Sequence, residues 1–117
     1  MIETTRLEVV TPFSILMERP VEMVVVPGVE GLFGVLPRHA PLLADLARGV
    51  VEVYEGGRIK DRFFIDGGIA DVSGGSVVIM AERALHLDGI DMTILKERAT
   101  NTEESEAEFL NAAAEYL

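Results

Sequence analysis

A chain of 117 residues has room for one domain, or one domain and a small appendage, and 49% apolar composition is enough to build a proper core. Its 20 acidic and 10 basic residues give a net charge of -10, which repels phosphate backbones and anionic lipid and argues against nucleic acid as a partner. Absence of cysteine removes disulfide staples and thiol nucleophiles and fits a reducing compartment.

The N-terminus, Met1 to Val10, carries Glu3, Arg6 and Glu8 and lacks a secretory pattern. Leu7, Val9 and Thr11 alternate with Arg6, Glu8 and Val10, the period of a half-buried strand, which Pro12 ends. Ser14 to Arg19 reads as a second strand stopped by Pro20. Val21 to Val26 reads as a third, with Val21, Met23 and Val25 on one face, and Pro27-Gly28 is expected to turn the chain. A glycine-punctuated stretch follows to Pro37. Leu42–Leu46, Gly49–Tyr54 and Ile59–Asp66 are further strands, the last two joined across Glu55-Gly56-Gly57-Arg58. Gly68–Val72 and Val77–Ala81 pair across Ser73-Gly74-Gly75-Ser76, and Ala84–Leu87 is a short last strand. Val50-Val51 and Val77-Val78-Ile79-Met80 are apolar on both faces. Either one face meets something beyond the core, or these are fully buried central strands.

The character changes at Asp88-Gly89. Met92 to Ala99 forms about two helical turns with Asp91 as N-cap. Thr100-Asn101-Thr102 breaks the pattern, and Glu103 to Leu117 is a second helix with Glu103 and Glu104 in its first turn. Ala107, Leu110, Ala114 and Leu117 recur at helical spacing, flanked by Phe109 and Ala113, a stripe that must pack on the first helix or on the strands. Many short strands followed by helices define a sandwich or flattened barrel, residues 1–87, and a helical region, residues 88–117.

Chemistry is hard to find. No P-loop lysine or nucleophile elbow is present, and Gly28, Gly31 and Gly34 lack the lysine and following helix of a phosphate cradle. His39 and His86 are far apart in sequence, and nothing at local spacing supports a metal site. His39 as a general base lacks a nearby Ser or Cys partner. Three classes remain in view: an assembly part, a ligand-binding sandwich, and a small enzyme using His39 with a carboxylate. The composition and the missing active site favour the first.

The run Pro27-Gly28-Val29-Glu30-Gly31-Leu32-Phe33-Gly34-Val35-Leu36-Pro37-Arg38-His39-Ala40-Pro41-Leu42-Leu43 resembles the signature of the F-type ATP synthase epsilon subunit family. Phe64-Ile65-Asp66-Gly67-Gly68-Ile69-Ala70-Asp71-Val72 is similar to the family's second shared stretch, and Leu7-Glu8-Val9-Val10-Thr11-Pro12 also fits. The resemblance implies a mainly β protein, a ten-stranded β-sandwich followed by a short helical hairpin, α+β overall. It implies a non-catalytic rotor part that binds the gamma subunit, sits on the ring of c subunits and meets the alpha/beta hexamer through the complex, with no cofactor or metal. The ring-facing positions carried over are Glu30, Gly31, Leu32, Arg38 and His39, and the gamma-binding ones are Pro41, Leu42 and Leu43. It further implies a peripheral place at the cytoplasmic face of a bacterial inner membrane, because no apolar run approaches the roughly 18 residues a spanning helix needs.

The tail departs from that pattern. Longer relatives carry two long helices that can extend and block rotation in the hydrolytic direction, whereas here the first helix has about two turns. Some bacterial relatives bind ATP through an Ile/Leu-Asp-x-x-Arg-Ala pattern, but this chain reads Ile90-Asp91-Met92-Thr93-Ile94-Leu95. An isoleucine offers no charge-assisted bond to phosphate. Weak or lost inhibition and no useful nucleotide binding are therefore expected.

Overall fold

The computed structural model describes residues 3–117 and contains, among them, ten strands followed by two helices. The strands are β1 (Thr5–Val10), β2 (Ile15–Val21), β3 (Met23–Gly28), β4 (Gly31–Val35), β5 (Leu42–Leu46), β6 (Gly49–Glu55), β7 (Arg58–Ile65), β8 (Gly68–Ser73), β9 (Ser76–Met80) and β10 (Ala84–His86). One continuous sheet runs in the order β10-β7-β6-β3-β5-β8-β9-β1-β2, with β4 attached to β3. It folds over at the β3–β5 corner, where the only register pair is Gly28 with Leu46. β1 and β9 pair in parallel, and the other strand pairs are antiparallel.

Alternation explains most of the layering. In β1, Thr5, Leu7 and Val9 face inward while Arg6 and Glu8 face outward. The turn joining β6 to β7 is Gly56-Gly57, at φ of +64° and +75°, as a two-residue hairpin requires. Three expectations need correction. β2 does not stop at Pro20 but runs through it to Val21, because β2 is the last strand of the sheet and pairs only with β1. A missing N–H costs nothing on an open edge. Pro27-Gly28 does not turn the chain; both lie in β3, opposite Leu32 and Gly31, and the turn is Val29-Glu30. Nor do Val21, Met23 and Val25 share one face: a bend at Glu22 resets the alternation, so Val21 is buried along with Val24 and Val26 while Met23 and Val25 are half-buried on the other side.

Two apolar clusters form. The first fills the sandwich and includes Leu7, Val24, Val51, Phe63, Ile65 and Ile79. The second lies on the outer side of β6, β7 and β10, where Phe64 and Leu87 meet the helices α1 (Met92–Thr100) and α2 (Glu104–Ala114) through Leu95, Phe109, Leu110 and Ala113. Adjacent Phe63 and Phe64 on β7 thus serve opposite layers, since side chains alternate across a strand. Each fully buried Phe or Leu contributes about 1.5–3 kcal/mol relative to exposure. The two-faced strands are resolved the same way. Val51 faces the sandwich core and Val50 packs against the helical cluster. Val77 and Ile79 are inside, while Val78 is half-buried and Met80 is exposed.

The Asp91 carboxylate accepts from the Ile94 N–H at 2.9 Å and starts α1 as expected. Asn101 closes it, and α2 begins with Glu104 and Glu106 in its first turn. The stripe of α2 finds both candidate partners, since it packs on α1 and on the sheet.

Candidate docking surfaces

One face of the sandwich is occupied by the chain's own helices. The Phe64 ring lies 5.2 Å from that of Phe109 and 5.1 Å from that of Tyr116. Around this apolar contact stand three arginines. Arg48 donates to Asp66 at 3.0 Å and to both oxygens of Glu108 at 2.6 and 2.7 Å. The Glu108 hydrogen bonds, then those of Asp66, raise the guanidinium pKa, and Arg48 in return holds the Glu108 carboxyl below the usual carboxylate range. Arg83 donates to the Ser105 carbonyl at 2.7 Å and hydroxyl at 2.8 Å, and Arg62 to the Tyr116 carbonyl at 3.0 Å. Sequence reasoning missed this clamp. Arginine is common, and only the fold brings Arg48, Arg62 and Arg83 to the rim of α2.

The opposite face, formed by β5, β8, β9, β1 and β2, carries no helix. Its outward rows follow from the register: Leu43 lies beside Asp71, and Asp71 beside Val78. One step along, Asp45 lies beside Ile69, Ile69 beside Met80, Met80 beside Val10 and Val10 beside Ile15. Leu43 is 68% exposed, Ile15 64%, and Phe13 at the β1–β2 turn 93%. A groove of about 560 Å³ lies here, lined by Val10, Pro12, Ile69, Met80 and Glu82 among others. An outward-facing apolar band of this kind is a mark of an interaction surface. Val10 and Ile69, apolar at positions whose strand phase points outward, were the signal in the sequence.

The predicted contact residues fall in three places. Glu30 lies in the Val29-Glu30 turn between β3 and β4, and Gly31 and Leu32 open β4, all three exposed. Arg38 and His39 lie in the loop after β4, so the structure separates them from Glu30 by the length of that strand rather than gathering all five at one point. Arg38 takes a positive φ of 67°, and its guanidinium pairs with Glu3. Non-glycine residues seldom adopt that region. His39 Nδ1 lies 2.8 Å from the Ala40 carbonyl. Pro41 and Leu42 enter β5, where Leu42 points to the mouth of the core beside Val72 and Leu43 points outward. The exposed pair Pro41 and Leu43 therefore borders the apolar band.

His39 and His86 do not meet. His86, on β10, places Nε2 2.8 Å from Asp61 Oδ1 and 3.2 Å from Asp88 Oδ2, with its ring stacked on Phe63 at 4.7 Å and 17°. Asp61 also receives the guanidinium of Arg19, which reaches across from β2 and pairs with Glu55 as well. Burial alone would push the Asp61 carboxyl up, but hydrogen bonds from Arg19 and His86 outweigh it and hold the group below its ordinary value.

The β-sandwich thus has one face closed by its own helical pair and the other left bare, with Leu43, Ile69, Met80, Val10 and Ile15 set among Asp45, Asp71, Glu8 and Glu18. Residues 4–87 match the family described as ATP synthase, Delta/Epsilon chain, beta-sandwich domain. The chain is 40% identical to the ATP synthase epsilon chain of Rhodospirillum rubrum, across 100% of this chain and 96% of that one. It is 43% identical to ATP synthase epsilon chain 2 of Nitrobacter hamburgensis over 86% of its length and 75% of the relative's. Among solved structures it is similar to a chain in the cryo-EM structure of Euglena gracilis mitochondrial ATP synthase, OSCP/F1/c-ring in rotational state 1. The TM-score is 0.69 at 28% identity, covering 92% of this chain and 73% of that one. A chain of the Tetrahymena thermophila mitochondrial ATP synthase central stalk and c-ring shares the fold, with a TM-score of 0.61 at 13% identity, 93% of this chain and 95% of that one. The chain belongs to the ATP synthase epsilon chain family, whose members are structural stalk subunits and not the catalytic ones.

Proposed function

We propose that the chain is a rotor part of the central stalk of an F-type ATP synthase, where it binds the gamma subunit and contacts the c-ring so that ion flow drives ATP synthesis elsewhere. The observation that carries this reading is the bare apolar band across β5, β8, β9, β1 and β2, on the face opposite the helices. Gamma docks there, with Pro41, Leu42 and Leu43 at one margin and Phe13 and Ile15 at the other. The β3–β4 turn with Glu30, Gly31 and Leu32, and the loop with Arg38 and His39, are the ring-facing segments. Both are exposed, and the positive φ at Arg38 is the kind of strain that clusters at binding loops. The Euglena neighbour sits in an assembly that holds both F1 and a c-ring, which is consistent with this arrangement. The alpha/beta hexamer is met through the complex. The chain is peripheral, held at the cytoplasmic face of a bacterial inner membrane by its partners, and no helix among the described residues is long and apolar enough to cross a membrane.

Residues 1–87 are the docking body and residues 88–117 a helical appendage. In this reading the appendage inhibits weakly or not at all: α1 has nine residues and α2 eleven, Arg48, Arg62 and Arg83 clamp α2 and the residues after it to the sandwich, and α1 is held through the apolar cluster. Nucleotide binding is absent because exposed Ile94 stands where a phosphate would need a cation. Affinity capture of the tagged chain from its own membranes tests the assignment. Recovery of gamma with alpha and beta is expected, and recovery of none of them would overturn it.

A further inference from the structure

The sequence offers no ligand spacing for a metal, yet folding brings three donors together at the junction between sandwich and helices. Asp61 comes from β7, His86 from β10 and Asp88 from the turn leading to α1, and one ligand atom of each lies within 4.8 Å of the others. We infer that Asp61, His86 and Asp88 form a site for a divalent transition-metal ion of the Zn²⁺ type.

Ligands held about 2.0–2.2 Å from one tetrahedral ion stand roughly 3.4 Å apart. The present separations of 2.8 and 3.2 Å from Nε2 to the two carboxylates lie just inside that distance. Those two pairs need to open slightly, and the carboxylates of Asp61 and Asp88, within 4.8 Å of each other, need to settle to the same spacing. Stacking on Phe63 fixes the imidazole plane. Asp61 is nearly buried, its side chain 14% exposed, and Arg19 orients it through the oxygen that His86 does not use. Asp88 Oδ2 accepts from the Arg62 N–H at 3.2 Å. Such outer contacts are what orients metal ligands. His86 and Asp88 are 44% and 45% exposed, which leaves an entry path and an open coordination position. Two carboxylates bring two negative charges, while the positive charge of Arg19 is shared with Glu55, so the site stays attractive to a cation. An imidazole ligand selects Zn²⁺ and its neighbours over Mg²⁺ or Ca²⁺. The ion takes the place of the proton on Nε2, and the ring's remaining proton sits on Nδ1. Because Asp88 belongs to the linker, the bound ion pins the start of the tail to β7 and β10.

Calorimetric titration of the full chain with ZnCl₂ in a non-chelating buffer at neutral pH tests this. The expected result is one saturable ion per chain, lost in His86→Ala, weakened about tenfold or more in Asp88→Asn and unchanged in His39→Ala. No saturable binding, or binding undiminished in His86→Ala, would overturn the site. Should His86→Ala fail to fold, Co²⁺ titration of the unaltered chain followed by proton NMR decides. Paramagnetic shifts centred on the His86 ring support the site, and shifts confined to His39 or the acidic tail reject it.

Discussion

Gly68→Ala probes the tightest backbone approach at any glycine of the sandwich. Gly68 opens β8 at a φ of +134°, and an added Cβ would lie 2.1 Å from the Met80 carbonyl oxygen and 2.9 Å from the Ala81 Cα. Both obstacles are main chain, at the end of β9 and the residue after it, so no side chain can swing aside. Backbone strain at a conformation closed to L residues costs about 1–3 kcal/mol, and overpacking adds about 1–3 kcal/mol. A loss of about 2–6 kcal/mol follows from these two sources together, a large share of the 5–15 kcal/mol typical of a domain. Gly75→Ala is the matched control: its φ is +88°, but the new Cβ would meet nothing within 4 Å. It carries the conformational cost alone, about 1–3 kcal/mol, without the overpacking. Urea unfolding followed by circular dichroism compares the two at constant m-value. Equal midpoints for the two variants would refute the claim that the β8–β9 approach is limiting.

Phe64→Ala is expected to cost about 3–5 kcal/mol. The damage should fall first on α2, read as early loss of hydrogen-exchange protection there while β1 and β9 stay protected; uniform loss would contradict the two-cluster account. The folded carboxyls of Asp61 and Glu108 lie below their ordinary values, so they stabilise the fold above about pH 4 and lose that contribution as pH falls through the folded values. Urea midpoints should drop on the acid side, and Asp61→Asn should flatten that limb; an unchanged slope would show that Asp61 is not part of it. Calorimetric titration with MgATP should give no saturable heat at micromolar concentrations, since Ile94 replaces the cation; a clear micromolar isotherm would sink that reading.

Much of the strand layout was legible because glycine pairs and two-residue alternation are local signals. Gly56-Gly57 and Gly74-Gly75 marked their hairpins to the residue. The prolines misled because their meaning depends on the neighbouring strand. Pro20 is harmless on the outer edge of β2, and Pro27 sits where β3 leaves β6 and turns toward β5. β4 went unseen because its alternation is diluted by Gly31 and Gly34. The Arg48 and Arg83 clamp and the meeting of Asp61, His86 and Asp88 were invisible for another reason. They join residues distant in sequence through register and helix docking, which no spacing rule records.

The account rests on the helix-free face as a docking surface. Equilibrium binding of the purified chain to isolated gamma subunit tests that most directly, with Leu43→Asp on the apolar band compared with Met92→Asp, exposed on α1. A stoichiometric complex is predicted for the unaltered chain, with affinity lowered about tenfold or more by Leu43→Asp, as expected when a charge enters an apolar contact, and left intact by Met92→Asp. No complex at all, or one indifferent to Leu43→Asp, would contradict the central claim.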